Sequence, residues 1–403
     1  MDPDELNRLQ DAFSRYNANS NSITPAEALE LFERGRTACP IPHSSELGGF
    51  HLFLTYQDVR QGLLNWRTYS SSPSVTRPLT PGKPSFPPLE YDPPDHSEWR
   101  AIFIEAVNAA SAKRIEPQIR ADTVRIIERI RAAERCDLVS ELAEIIPLNA
   151  ICYILGVDAE HQERVRTLTL ALLASVTNPP EFQRLFMEFG AFGCAEVEKR
   201  HSAPRADYLT ALGSARIGGR LLTPAEIGAA TSSLLLAGHG TTVAAMTNLF
   251  YEVLSRPMIR KNLLDDPTLI PNAVDEALRM HTPFFGLYRR ANSDVTVRGN
   301  HIAAGESVFM CWQSANRDAE AFPDPGDFRL DREMGRHLAF GLGKHFCIGS
   351  IVAKMEMQVV LEELLSRLPD IQLIDPDKRR FEFRGTETAA IPSLPARVGG
   401  LPY

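Results

Sequence analysis

Three glycines within nine residues, Gly341, Gly343 and Gly349, surround a single cysteine, Cys347, in the stretch HLAFGLGKHFCIGS from His337 to Ser350. Glycine takes left-handed backbone angles without strain and leaves room for close approach, so the chain here is expected to fold tightly around whatever Cys347 holds, with Phe340 opening the loop. An apolar series at helical spacing follows, Ile351, Val352, Met355, Val359, Leu361, Leu364 and Leu365, with Lys354, Glu356, Glu362 and Glu363 between them. It predicts a helix whose N-terminal end lies at Cys347. Unpaired N–H groups and the helix dipole favour an anionic sulfur there, and such a sulfur is a metal ligand. Two other readings fail: a dinucleotide loop would need its third glycine at Phe346, and a zinc site would need a CxxC or HxxxH companion for His345 and Cys347.

FGLGKHFCIG, Phe340 to Gly349, resembles the haem-binding loop of the cytochrome P-450 family at every defining position. The resemblance implies that Cys347 ligates the iron and that Phe340, Gly341, His345 and Gly349 line the cofactor. DPPDHSEWR, Asp92 to Arg100, sets His96 and Arg100 four apart on one helix face, which alone reads as a solvated surface. It too is similar to a family motif, which implies that both residues bind a haem propionate through charge-assisted hydrogen bonds.

Thr223 to Glu226 is a capping signal for a helix running to about Leu254, apolar nearly all round at LLLAGHGTTVAAM (Leu234 to Met246) and therefore buried. Gly238 and Gly240 each weaken a helix by about 1 kcal/mol relative to alanine, and with Thr241 and Thr242 beside them they predict a local distortion. The stretch resembles the family's oxygen-binding helix, which implies that Ala237 and Gly238 form a groove over the iron and that Thr241 and Thr242 serve catalysis. Gly240 stands where the family usually has an acid. Protons would then arrive through water ordered by Thr241 or a substrate group, which is the favoured reading, or through His239; otherwise the chemistry is peroxide-driven or is not hydroxylation.

EALR places Glu276 and Arg279 three apart, a surface pair by itself and a buried brace by resemblance to the family's ExxR motif. PFFGLYRRANSD, Pro283 to Asp294, looks like the family's strand entering the pocket. There Phe284, Phe285 and Leu287, with Leu235 and Leu236 of the long helix, would face substrate, and Arg289 would bind the other propionate, with Arg290 as its rival. ANRDAEAFPDPGDF, Ala315 to Phe328, is similar to the family's meander. Asp327 departs from an arginine that completes the ExxR network in some members, and Arg329 or Arg332 would substitute.

Elsewhere the pattern predicts a helical lead-in to about Arg36 and a strand within Cys39 to Tyr56. Arg67 to Pro94 holds eight prolines and reads as a loop packed over a pocket through Leu79, Phe86, Leu89 and Tyr91. Helices are expected from Arg114 to Arg200, broken at Gly156 and at Thr177 to Pro180. Within them Thr167 to Arg200 would be a lid carrying Leu172, Val176, Phe182, Phe186, Phe189 and Phe192. Short strands and a pocket-closing turn near Gly385 to Ala390 are expected in the last segment.

A hydrophobic fraction of 44% and a charged fraction of 23% are those of a globular protein, and a net charge of −8 argues against nucleic acid as partner. The start MDPDELNRLQDAF lacks signal-peptide or anchor features, and six scattered cysteines suit a reducing cytoplasm. The expected fold is one domain, residues 1–403 with 1–38 as lead-in, mainly α with small β-sheets in the triangular form of the family. One haem b would lie between the long central helix and the Cys347 loop. As the resemblance implies, the activity is that of a monooxygenase that uses O2 to hydroxylate or epoxidise a largely apolar small molecule. Electrons would come from a ferredoxin and its reductase, or a flavodoxin, docking at Lys113, Arg114 and Lys344, with NAD(P)H acting only indirectly. A peroxide-driven or oxidative-coupling enzyme and a non-catalytic haem sensor or carrier are the alternatives.

Overall fold

Helix starts are set by side chains that satisfy the first free N–H groups. Thr24 with Glu27, Asn108 with Ser111 and Thr223 with Glu226 form capping boxes, and Thr55 caps through the Asp58 N–H. The computed structural model describes residues 3–17, 23–77, 79, 85–175, 178–378, 380–383 and 389–399. It is mostly α-helical with small sheets, as the sequence leads one to expect. No helix among the described residues is long and apolar enough to cross a membrane.

The chain divides into two units. The first comprises Met1–Pro81, Asp275–Cys347 and Arg380–Pro392. It is built on a five-stranded sheet in the order His43–Ser44, Phe50–Phe53, Ser307–Met310, Leu287–Ala291, Tyr69–Ser70. Phe50–Phe53 and Ser307–Met310 run parallel, with Phe50 opposite Ser307, and the other pairs are antiparallel. One side of this unit is an aromatic core in which Phe13, Tyr16, Phe32, Phe50, Phe285, Tyr288 and Phe309 are buried together.

The second unit comprises Gly82–Val274, Ile348–Arg379 and Ser393–Tyr403. Its long helices Ala109–Ala133 and Ser350–Arg367 pack side by side, and Arg120 on the first reaches Glu363 at 2.8 Å and Glu362 at 3.0 Å on the second. The strand Arg135–Asp137, in a stretch expected to be helical, pairs with Pro395–Arg397, which pairs in turn with Gln372–Leu373. Helix Ile145–Leu155 ends at Gly156 in the left-handed conformation, φ 82°, where glycine costs least.

Helices Ala159–Ala174 and Pro179–Ser202 occupy the segment expected to be a lid. Leu172, Phe186, Phe189 and Phe192 are buried there, whereas Val176 lies outside the described residues. Pro179–Ser202 crosses Pro224–Gly238 at glycines: a Cβ on Gly190 would stand 3.0 Å from the Gly228 Cα, and one on Gly193 would stand 2.6 Å from the Thr231 Oγ.

In the proline-rich stretch Phe86 packs against Phe182 and Phe186, with ring centroids 6.4 and 5.7 Å away. Leu79, expected to pack, is exposed, and Pro78, Pro81 and Pro84 lie outside the described residues. Of the expected closing turn, Gly385 to Thr388 are likewise outside. Ala389–Ala390 is a strand paired with Glu382–Phe383.

Candidate active site

In the first unit the Cys347 loop is tied by the Cys347 N–H donating to the Phe340 carbonyl at 2.8 Å and by the Phe346 N–H donating to the Gly343 carbonyl at 3.2 Å. Gly341 and Gly343 hold φ of 66° and 72°, angles that β-carbons oppose. A Cβ on Gly343 would also stand 3.0 Å from the Leu63 carbonyl oxygen. Phe340 is half-buried, 6.3 Å from the Phe346 ring, and Cys347 is half-buried. The helix Ser350–Arg367 starts three residues after the cysteine, with Gly349 as its N-cap.

Glu276 and Arg279, 3% and 2% exposed, form a buried bidentate pair at 2.7 and 2.8 Å. Arg279 also donates to the carbonyls of Asn316, Pro325 and Asp327. Of the two arginines weighed against the missing one, Arg332 reaches Glu276 Oε1 at 2.8 Å. Arg329 gives Glu276 only its backbone N–H, at 3.1 Å, while its side chain turns to Asp331.

Strand Leu287–Ala291 is buried at every position but Arg290. Arg289 is buried and bonds the Tyr288 carbonyl, whereas its rival Arg290 is exposed. His345 lies 3.1 Å from the Oγ of Ser71, a residue that sequence reasoning passed over because a serine run reads as a polar turn. Phe284 is half-buried and Leu287 is buried in the sheet. Phe285 departs from its expected place facing substrate: its ring lies 4.9 Å from Phe383 and 6.3 Å from Phe32 in the aromatic core.

In the second unit the expected long helix is two, Pro224–Gly238 and Gly240–Leu254, meeting at His239. The distortion expected from the glycines is therefore a break. Thr241 Oγ donates to the Ala237 carbonyl at 2.8 Å across it. Ala237 is exposed and Leu236, Gly240 and Thr241 are half-buried, so this face is open.

Leu235 and Thr242, 0% and 5% exposed, lie off that face, because each residue advances about 100° round a helix. Gly238 is small for a packing reason, since a Cβ there would meet Ile151 at 3.1 Å. A Cβ on Gly240 would meet only Leu173, at 3.9 Å. His239 is turned inward, its Nε2 3.1 Å from the Glu144 carbonyl, and burial pushes its pKa down. His96 and Arg100 lie one turn apart on helix Asp95–Ala106, the first buried and the second half-buried.

A haem asks for one axial donor and for cations or N–H donors at its carboxylates. Among the described residues no three His, Cys, Asp or Glu side chains gather to hold a metal ion by themselves. Cys347 is thus a lone sulfur donor in a loop whose backbone favours glycine, which fits a metal whose other ligands come with a macrocycle. His345 and Arg289 in the first unit, and His96 and Arg100 in the second, are of the residue types that bind carboxylates.

The family model described as cytochrome P450 matches residues 259–369. A mycinamicin IV hydroxylase/epoxidase from Micromonospora griseorubida is 34% identical over 333 residues, covering 81% of this chain and 84% of that one. Cytochrome P-450 107B1 from Saccharopolyspora erythraea is 32% identical over 367 residues, 86% and 89% of the two chains. The crystal structure of CYP109E1 from Bacillus megaterium with testosterone superposes with a TM-score of 0.83 at 27% identity, covering 92% of this chain and 99% of that one. The lone-cysteine loop, the buried Glu276–Arg279 pair and these relatives agree: the chain belongs to the cytochrome P-450 family, as a monooxygenase of the bacterial type.

Proposed function

We propose that the protein hydroxylates or epoxidises a largely apolar small molecule, taking electrons from a separate ferredoxin-type partner. The observation that carries this is the Cys347 loop, whose left-handed backbone at Gly341 and Gly343 favours glycine. When bound, a haem with a thiolate ligand supplies the reductive cleavage of O2, with one oxygen atom entering a C–H or C=C bond and the other leaving as water.

The residues of the chain take the remaining work. Cys347 would hold the iron through its sulfur, and Phe340, Gly341 and Gly349 would shape the loop around it. Glu276, Arg279 and Arg332 brace the first unit from within. His96, Arg100, Arg289 and His345 neutralise the two carboxylates. Ala237, with no side chain beyond Cβ, would leave room for the cofactor, and Thr241 would order the water that carries protons. Leu236 and Phe284, half-buried and apolar, are the substrate contacts this reading favours.

A polycyclic or macrocyclic natural product suits such a surface, in keeping with the mycinamicin and testosterone named for two relatives. Lys113, Arg114 and Lys344 are each exposed and would meet an acidic redox protein in the cytoplasm.

Gly240 supports a second reading, a peroxide-driven or coupling enzyme, since it offers no acid on the open helix face. The test is the absorption spectrum of the purified chain, reduced under carbon monoxide. A strongly red-shifted band that is lost in Cys347→Ala is expected. Haem-loaded protein without that band refutes the assignment. Turnover with reductase and O2, against peroxide alone, then separates the two readings.

A further inference from the structure

Ser71 sits in a run, TYSSSPS, that looks like a turn, yet it is fully buried. Its Oγ lies 3.1 Å from Nε2 of His345, 274 positions along the chain. Strand Tyr69–Ser70 runs antiparallel to Leu287–Ala291, with Tyr69 opposite Ala291 and Ser70 opposite Arg290. Ser71 follows directly on that strand. Arg289 and Arg290 are adjacent and so project to opposite faces of the sheet, Arg289 buried and Arg290 exposed. The other face of the sheet has its own polar contact, Arg77 to the hydroxyl of Ser307, which pairs with Arg290. Ser71 thus stands beside the imidazole that the proposed function assigns to a haem carboxylate.

A neutral imidazole has one donor and one acceptor nitrogen, and the bond made by one nitrogen decides the state of the other. A carboxylate can only accept. The wrong tautomer would set a lone pair against it.

We propose that Ser71 is a positioning residue for the carboxylate site. Its hydroxyl donates to Nε2 of His345, fixes the plane of the ring and keeps the proton on Nδ1, so that His345 meets a haem carboxylate as an N–H donor alongside Arg289. The inference rests on the haem reading above.

The experiment uses haem-loaded protein: wild type, Ser71→Ala, His345→Leu and the double variant. Haem loss is followed by capture with excess apomyoglobin, and the histidine ¹⁵N shifts are recorded in the diamagnetic ferrous carbon monoxide form, with His345→Leu assigning the His345 signal. Loss of one hydrogen bond to a charged-site partner predicts haem release about tenfold faster in Ser71→Ala. His345 should shift from a single Nδ1–H tautomer to a mixture. In the His345→Leu background, adding Ser71→Ala should change release less than twofold, because Ser71 acts through that ring. Equal effects in both backgrounds, or an unchanged His345 tautomer in Ser71→Ala, overturn the proposal while leaving the haem assignment intact. Protein that lacks the thiolate-type carbon monoxide band overturns the assignment and the proposal together.

Discussion

Arg332 rather than Arg329 completes the cluster around Glu276, and single substitutions at three arginines should separate cleanly. Arg279 makes two bonds to Glu276 and three to the carbonyls of Asn316, Pro325 and Asp327. Removing it leaves a carboxylate that is 3% exposed with a single arginine partner. Breaking a buried pair from one side costs about 3–5 kcal/mol, and Arg279→Ala belongs in that range.

Arg332 bonds Glu276 at 2.8 Å and the carbonyls of Pro323, Asp324 and Asp327, with its side chain 12% exposed. Its loss leaves Glu276 still paired with Arg279, so Arg332→Ala should cost about 1.5–3 kcal/mol, the range for a hydrogen bond to a charged group. The Arg329 side chain is 41% exposed and reaches only Asp324 and Asp331, also exposed; Arg329→Ala should therefore cost less than about 1 kcal/mol. Urea unfolding followed by circular dichroism measures all three, with the change in midpoint multiplied by the slope giving each cost. The reasoning fails if Arg329→Ala matches Arg332→Ala, or if Arg279→Ala costs under 1 kcal/mol.

Other expectations follow from single contacts. Gly240→Asp should fold as well as wild type, since its Cβ meets nothing nearer than Leu173 at 3.9 Å. If proton supply limits turnover, product formed per NAD(P)H consumed should rise, and an unchanged ratio with a changed product would instead favour the coupling reading. Gly190→Val should lower the unfolding free energy by about 1–3 kcal/mol through overpacking against Gly228, and a neutral result would show that the two helices can part. Burial lifts the pKa of Glu356 well above the usual carboxylate range, so its ionised form is disfavoured in the folded chain. The folded state therefore loses stability as pH climbs above the unfolded carboxylate value toward the folded one. Glu356→Gln should stabilise at pH 8 and do little near pH 4, and a gain independent of pH would refute the burial argument.

Local chemistry was readable from the amino-acid order where a few adjacent residues suffice. The capping box at Thr223 and Glu226, the glycines around Cys347 and the weakness at Gly238 to Thr242 all show in short windows. What escaped depends on distant partners. Spacing alone could not choose Arg332 over Arg329, because the choice is made by where the meander after Ala315 sets each side chain relative to Glu276.

Phe285 and Leu235 were assigned to a substrate face by their apolar character, which does not tell which side of a strand or helix points inward. The strand Arg135–Asp137 is three residues inside helical sequence and exists because Pro395–Arg397 comes to pair with it. Ser71 is the sharpest case, a polar residue in a serine run whose burial is decided 274 positions away.

The bond from Thr241 to the Ala237 carbonyl gives that hydroxyl a direction. A threonine side chain has a single proton to give, and here it is already committed to the backbone. What the oxygen still offers is lone pairs. Thr241 in this arrangement works as a one-way fitting: it can hold a water or a protonated oxygen in place by accepting, but it cannot itself be the acid. On the function proposed above, with glycine one residue before it and His239 facing Glu144, solvent water and substrate hydroxyl groups are the proton sources left to Thr241. Turnover in this enzyme should therefore respond to which hydroxyl groups the substrate carries, and not only to how well its carbon skeleton fits.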